Sequence, residues 1–369
     1  MIVEAVPPPA VLERIRAPLQ AGAVRADPPV LQPLGIYLDL LGEAMRGRLF
    51  TVEGPGAEDA CLRPDLTVAV AREHLRSGAP EGRYFYEGPA FRAAPTGSAR
   101  PQEFLQLGTE RIGGATPERD DAEVAGAAWR AAEAGGRADL RLIMGEVSLF
   151  ADFCEGLGVA APVRARLQRR LGAPEAFLTE LERRPSGAEG GALAGMLAGL
   201  PPAEAAGVLE ELWALAGVTP VGGRSAAEIA GRLAQRGGVG AGVSDSQAAL
   251  IVRWVQIGGE PLAAIAEAMV LARRAGVDLH GRLEGCARRV AALATAGVEL
   301  SRMRLEFGFG RPFGYYDGFL FEVRSGALAE DQPVAAGGRY DGLLARLQPG
   351  ADAPAVGCMV RPGRAWSGR

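Results

Sequence analysis

Histidine and cysteine are scarce in this 369-residue chain: His74 and His280 are the two histidines, and Cys61, Cys154, Cys286 and Cys358 the four cysteines. The cysteines stand far apart and form no C-x-x-C pair, which argues against both a zinc site and a disulfide framework. So few soft or imidazole ligands leave nothing to build a transition-metal centre, and no cofactor is expected. Both histidines read as surface or packing residues. No stretch approaches about 18 uninterrupted apolar residues, and the N-terminus MIVEAVPPPAVLERIRAPLQ lacks a basic start and an apolar centre. A membrane span and a secretory leader are not expected, and the chain reads as cytoplasmic and reduced. Excess positive charge is also missing, because 40 Lys plus Arg stand against 44 Asp plus Glu. At a net charge of −4 no global field draws the protein to nucleic acid.

What is present is an ordinary globular composition, 48% hydrophobic and 23% charged. At about 100 to 200 residues per domain, the length leaves room for two or three domains. Residues 1–155 mix helical and strand signals. Ala10 to Leu19 predicts a helix, with Val11, Leu12, Ile15 and Leu19 at helical spacing behind Pro7-Pro8-Pro9. Val30 to Arg46 predicts an extended stretch running into an apolar helix. Strands are expected over Arg83 to Phe91, Glu103 to Ile112 and Asp139 to Met144.

Residues 156–298 turn to Ala, Leu, Glu, Arg and Gly. Helices are expected over Val163 to Leu171, Ala203 to Ala216, Ala226 to Gln235 and Leu262 to Ala275, with Gly/Pro-rich joints at 185–191, 217–224 and 237–242. Strand chemistry returns in 299–369, at Arg302 to Phe309 and Tyr315 to Arg324. Ala336 to Gly342 then leads into a short helix, Leu343 to Leu347. Gly337-Gly338 is expected to be a tight turn with close backbone approach, since no phosphate-loop pattern follows it. The whole reads as one α+β sheet domain built from both ends of the chain, with a helical block inserted.

The strand Glu103 to Ile112 can be read face by face. Alternation puts Phe104, Gln106, Gly108, Glu110 and Ile112 on one side. Gly108 leaves a gap in the floor between two polar side chains, wide enough for a small polar ligand. A solvated sheet face is the plain alternative for Gln106 and Glu110. For Tyr315-Tyr316 it is packing, with one ring in and one out.

Four segments, in order, resemble the catalytic core of histidyl-tRNA synthetase, a class II aminoacyl-tRNA synthetase. They are Leu62-Arg63-Pro64-Asp65-Leu66-Thr67; Gly88-Pro89-Ala90-Phe91-Arg92 through Gln106-Leu107-Gly108-Thr109-Glu110; Arg311 to Glu322; and Ala336 to Leu343 followed by Ala355-Val356-Gly357. The resemblance implies an antiparallel class II sheet flanked by helices, covering 1–155 and 299–364, and a homodimer interface near Pro29. It also implies a histidine site in which Asp65, Thr67 and Gln106 hold the ammonium. Glu110 and Tyr316 grip the imidazole beside Tyr315, Arg311 meets the carboxylate, and Arg92 is the arginine of the second motif. A zwitterion carrying an imidazole needs acceptors at one end, a cation at the other and a matched pair for the ring.

The nucleotide half departs from that pattern. Ala94 and Pro95 stand where an acidic and a basic residue are expected, Arg361 and Gly363 replace a glycine and a glutamate of the third motif, and Gly314 replaces an aspartate. Adenylation depends on a clamped, positioned triphosphate, so these changes predict that no amino acid is activated. With the sequence ending five residues past Arg364, at Arg369, no anticodon-binding domain is expected. Such a chain looks like the regulatory subunit of ATP phosphoribosyltransferase. That resemblance implies a non-catalytic partner of a short catalytic subunit, a homodimer within a hetero-oligomer, and L-histidine as feedback effector in the first step of histidine biosynthesis. An active synthetase-like ligase or an RNA-binding module would be the alternatives.

Overall fold

The computed structural model describes residues 4–54, 59–95, 97–98, 100–183, 196–197, 200–216, 225–227, 229–231, 242–311 and 314–368. Its first half holds helix α1 (Pro9–Gln20), β1 (Val24–Ala26), β2 (Leu31–Pro33), α2 (Leu34–Leu41), β3 (Thr51–Val52), β4 (Ala60–Leu62) and α3 (Thr67–Ser77). These are followed by β5 (Gly82–Phe91), β6 (Glu103–Ile112), α4 (Pro117–Ala134), β7 (Leu140–Glu146) and α5 (Val147–Gly156). Later strands are β8 (Gly258–Gly259), β9 (Met303–Glu306), β10 (Phe319–Ser325), β11 (Ala335–Arg339) and β12 (Ala355–Val360).

Nine strands form one sheet in the order β1-β5-β6-β12-β11-β10-β7-β9-β8, with β2-β4-β3 as a small separate sheet. In the large sheet β1 runs parallel to β5, and β7 to β9; the other described pairings are antiparallel. Strands from both ends of the chain therefore alternate at its centre, where β6 pairs with β12 from Leu107↔Val360 to Ile112↔Ala355.

Alternation gives this sheet two chemically different faces. One carries Leu107, Val356, Cys358, Val360, Phe321 and Val323, all buried under α4. That helix opens with Pro117 and presents Ala122, Ala125, Ala128, Trp129 and Ala132, small residues at helical spacing that let it lie close on the strands. The opposite face carries Gln106, Gly108 and Glu110 on β6, level across the register with Met359, Gly357, Ala336 and Gly338. Small residues there keep the floor low.

Helices Ala161–Gln168, Pro174–Glu182, Pro202–Ala216, Asp245–Gln256, Pro261–Arg274 and His280–Thr295 occupy the middle of the chain. Val163, Leu167, Phe177, Ile251, Trp254 and Leu283 from these helices join the same buried cluster as the sheet. Trp254 stacks on Phe153 of α5 with ring centres 4.2 Å apart and meets Phe307 edge-on. Of the expected Ala226 to Gln235 helix, 228 and 232–235 lie outside the described residues, as do the joints at 185–191 and 217–224 and all but the last residue of 237–242. All four cysteines are free and buried, and among the described residues no helix is long and apolar enough to cross a membrane.

Two local readings need correction. Gly337-Gly338 is not a turn but the middle of β11, and the close approach is to β12: a Cβ on Gly337 would sit 2.2 Å from the Gly357 carbonyl oxygen. The strand expected from Tyr315 begins only at Phe319, because residues 314–318 turn. Asp317 pins that turn by accepting the N–H groups of Asp341 (3.0 Å) and Gly342 (2.7 Å). The tyrosines therefore do not alternate in and out; their ring centres lie 4.6 Å apart.

Candidate functional site

The polar face of the sheet, the start of α3 and the 314–318 turn bring the residues of the resemblance together. Glu110 of β6 is fully buried. Its Oε1 accepts from the Thr67 hydroxyl (2.7 Å), and its other oxygen accepts from the Tyr340 hydroxyl. Thr67 is there because it begins α3, and Tyr340 because β11 ends one residue earlier. Gly357, paired with Glu110 across β12, leaves room for the carboxyl: a Cβ there would lie 1.4 Å from Glu110 Oε2.

Asp65, also buried, accepts the Val68 N–H (3.4 Å) and the Tyr315 hydroxyl (3.5 Å). Tyr315 and Tyr316 face Tyr340 edge-on, closing an aromatic wall beside Glu110. Arg92 donates through Nε to the Pro64 carbonyl (2.8 Å) and feels the charges of Asp65 and Arg311. Arg311 donates to Glu322 (2.7 Å), which also accepts from Arg324.

Two polar atoms in this group are buried with no partner: Oε1 of Gln106, an acceptor, and Nε of Arg311, a donor. Buried polar groups are almost always paired, and leaving one unpaired costs about 1 to 3 kcal/mol. An open acceptor suits an ammonium, and an open cationic donor suits a carboxylate.

Burial sets the protonation states. It pushes the Glu110 carboxyl up to about 8, against the hydrogen bonds from Tyr340 and Thr67, with Asp65's charge adding to the rise. Burial likewise raises Asp65, opposed by Arg92, and pulls Arg92 down to about 10, opposed by Asp65. The Tyr316 hydroxyl is pushed to about 12, again by burial. Burial thus favours the neutral acid form of Glu110.

That proton has a measurable consequence. Unfolded, Glu110 releases its proton near 4.5; folded, it keeps it to about 8, so the folded state binds one more proton in between. The resulting stability is full below 4.5 and is lost as pH rises through about 8. The thermal midpoint is expected to fall between pH 5 and pH 9, and Glu110→Gln should flatten part of that fall. An equally steep fall in the variant would place the proton elsewhere.

The structure places all eight expected residues on or around this face. It corrects one reading: the gap over Gly108 is filled by Tyr86, its cross-strand partner on β5, whose hydroxyl would lie 2.2 Å from a Cβ on Gly108. Tyr86 donates to the Cys358 carbonyl (3.2 Å). The room over Gly357 is likewise taken, by the Glu110 carboxyl, and Tyr316 lies 3.1 Å from the place of a Cβ on Gly338. Sequence reasoning missed Tyr340, Tyr86 and Glu322. Strand alternation could have found Tyr86, since it shares its face with Gly88 and Ala90.

The fold and the site define a chain of the class II synthetase type. The histidyl-tRNA synthetase family model matches residues 13–184 and 224–363. Solved structures that share the fold include the following three. A Bacillus halodurans chain described as an ATP phosphoribosyltransferase regulatory subunit/histidyl-tRNA synthetase is 20% identical (TM-score 0.66), the alignment covering 98% of this chain and 79% of that one. A histidine–tRNA ligase subunit from Alicyclobacillus acidocaldarius is 22% identical (TM-score 0.60; 97% and 91% covered). Histidyl-tRNA synthetase from Nostoc sp. is 15% identical (TM-score 0.63; 96% and 69% covered). Among curated proteins, the ATP phosphoribosyltransferase regulatory subunit of Brucella anthropi is 33% identical over 341 residues, 90% of this chain and 89% of the relative. That of Brucella canis is 32% identical over the same extents. The chain belongs to the ATP phosphoribosyltransferase regulatory subunit family, a branch with the histidyl-tRNA synthetase fold.

Proposed function

We propose that this chain is a non-catalytic regulatory subunit that supports a short ATP phosphoribosyltransferase catalytic subunit and senses L-histidine in its synthetase-like site. The observation that carries the reading is the pair of buried, unpartnered atoms, Gln106 Oε1 and Arg311 Nε, on the face that also holds Glu110 and the tyrosines. Gln106 and Asp65 take the ammonium, Arg311 takes the carboxylate, and Glu110 with Tyr316 takes the ring. Residues 1–155 and 299–369 supply the core in this reading, and 156–298 is its insertion. The chain pairs with a second copy near Pro29, where Val30 and Leu31 leave apolar side chains exposed.

Absence of catalysis is supported by Ala94, Pro95, Arg361 and Gly363, which take the places of the charged and small residues expected around a nucleotide. Calorimetric titration of the isolated chain is expected to give saturable binding of L-histidine and none of ATP. Histidine-dependent exchange of pyrophosphate into ATP would overturn the reading in favour of an active ligase.

A further inference from the structure

Arg361 and Gly363 both meet the same object, the N-terminal residues Glu4 and Ala5. The Glu4 carboxylate accepts from Arg361 Nε (2.9 Å) and Nη2 (2.8 Å), a bidentate pair, and from Arg364 Nε (3.2 Å). At Gly363 a Cβ would lie 2.2 Å from the Ala5 carbonyl oxygen and 2.8 Å from Glu4 Cγ, so glycine is what lets residues 4–5 pass. The Glu4 N–H donates to the Glu103 carbonyl (3.5 Å), tying the segment to the start of β6.

Held in this way, Arg361 is only 3% exposed, and its guanidinium lies 3.4 Å from the centre of the Phe104 ring. Arg92 approaches the same ring, at 5.2 Å. An aromatic face is a stacking surface for any flat group, and a guanidinium is flat. Phe104 shares its strand face with Gln106 and Glu110, so the stacked arginine fills the end of the same site.

We propose that Arg361, latched by Glu4 across Gly363, is a built-in occupant of the Phe104 end of the site and sets its selectivity, excluding the flat base of a purine nucleotide so that an amino acid enters alone. The inference rests on the amino-acid reading above. Without the Arg361 side chain, the ring face would stand beside Arg92 and Arg364, a complement for a base and a phosphate.

The test titrates adenosine monophosphate and, separately, L-histidine into the unaltered chain, Arg361→Ala and Glu4→Gln. Arg361→Ala is expected to bind the nucleotide at least tenfold more tightly than the unaltered chain. Glu4→Gln, which frees the latch but keeps the arginine, should gain less. Histidine affinity should stay within about threefold in both. Equal nucleotide affinity in all three, or a gain in neither variant, overturns the proposal. Failure of the unaltered chain to bind histidine would sink the amino-acid reading while leaving the nucleotide comparison intact.

Discussion

Replacing Glu110 with alanine is expected to weaken L-histidine binding by ten- to a hundredfold. A carboxyl held near 8 and an imidazole titrate in overlapping ranges, so the two share one proton on contact. Whether the acid donates to a neutral ring or its carboxylate accepts from a charged one, alanine removes that bond. Hydrogen bonds to charged groups are worth about 1.5 to 3 kcal/mol, which converts to that range of affinity. Alanine also strands the Thr67 and Tyr340 hydroxyls, so Glu110→Gln, which keeps an acceptor, separates local disorder from loss of the ring contact.

The consequence for regulation follows from linkage. In the function proposed above, histidine can inhibit only by binding one state of a complex better than the other, so a weaker site is expected to raise the concentration needed for inhibition and leave uninhibited turnover near normal. Inhibition of the reconstituted complex by histidine, measured with both variants, checks this. Unchanged inhibition would move the switch to another site, such as the contact with the catalytic subunit. Loss of basal turnover would mean that Glu110 serves assembly.

Much of the architecture is legible in the sequence where periodicity is strong. The β6 strand runs from Glu103 to Ile112 as its alternation predicts, and positive-φ Gly113 and Gly114 follow immediately. The helix Leu343–Leu347 also matches end to end. What fails is information that lives between segments. Tyr86 fills the space over Gly108 only because β5 pairs with β6 in a particular register, which neither strand encodes alone. Gly337-Gly338 resembles a turn because glycine pairs commonly make turns, but here small size serves close contact between strands. Tyr315-Tyr316 carries strand-forming side chains, yet the hydrogen bonds Asp317 makes to residues 341 and 342 hold that segment in a turn. The resemblance names eight candidate residues from separate segments, and the fold gathers them around one face. Their partners Tyr340 and Glu322 lie inside two of the segments that carry the resemblance but receive no role, because a contact to Glu110 or Arg311 depends on how separate strands pack.

Asp121→Ala is expected to cost the fold about 3 to 5 kcal/mol, more than any surface substitution. Asp121 projects from α4 and is fully buried. It accepts from Arg289 of the helix His280–Thr295 (2.8 Å) and from Arg339 of β11 (2.7 and 2.9 Å). Arg289 also meets Glu146 at 2.9 Å and lies over the Phe319 ring, while Arg339 reaches Asp341 at 3.0 Å. Burial raises the Asp121 carboxyl, with Glu146's charge adding to it and the Arg289 and Arg339 guanidiniums opposing, while Arg289 is held firmly charged by Glu146 and Asp121 against its own burial. Removing the carboxylate therefore leaves two buried cations sharing fewer anions, and a guanidinium cannot escape by giving up its proton. The damage is directional, because Asp121 joins the helix His280–Thr295 to the sheet. Urea unfolding should show a lowered midpoint with little change in slope if the whole chain unfolds together, and hydrogen exchange should rise first along residues 280–295. Asp121→Asn, which keeps an acceptor without the charge, is expected to lose less. A loss under about 1 kcal/mol for alanine would show that Glu146 and Asp341 already balance both arginines, leaving the helix His280–Thr295 anchored by apolar packing such as that of Leu283 instead.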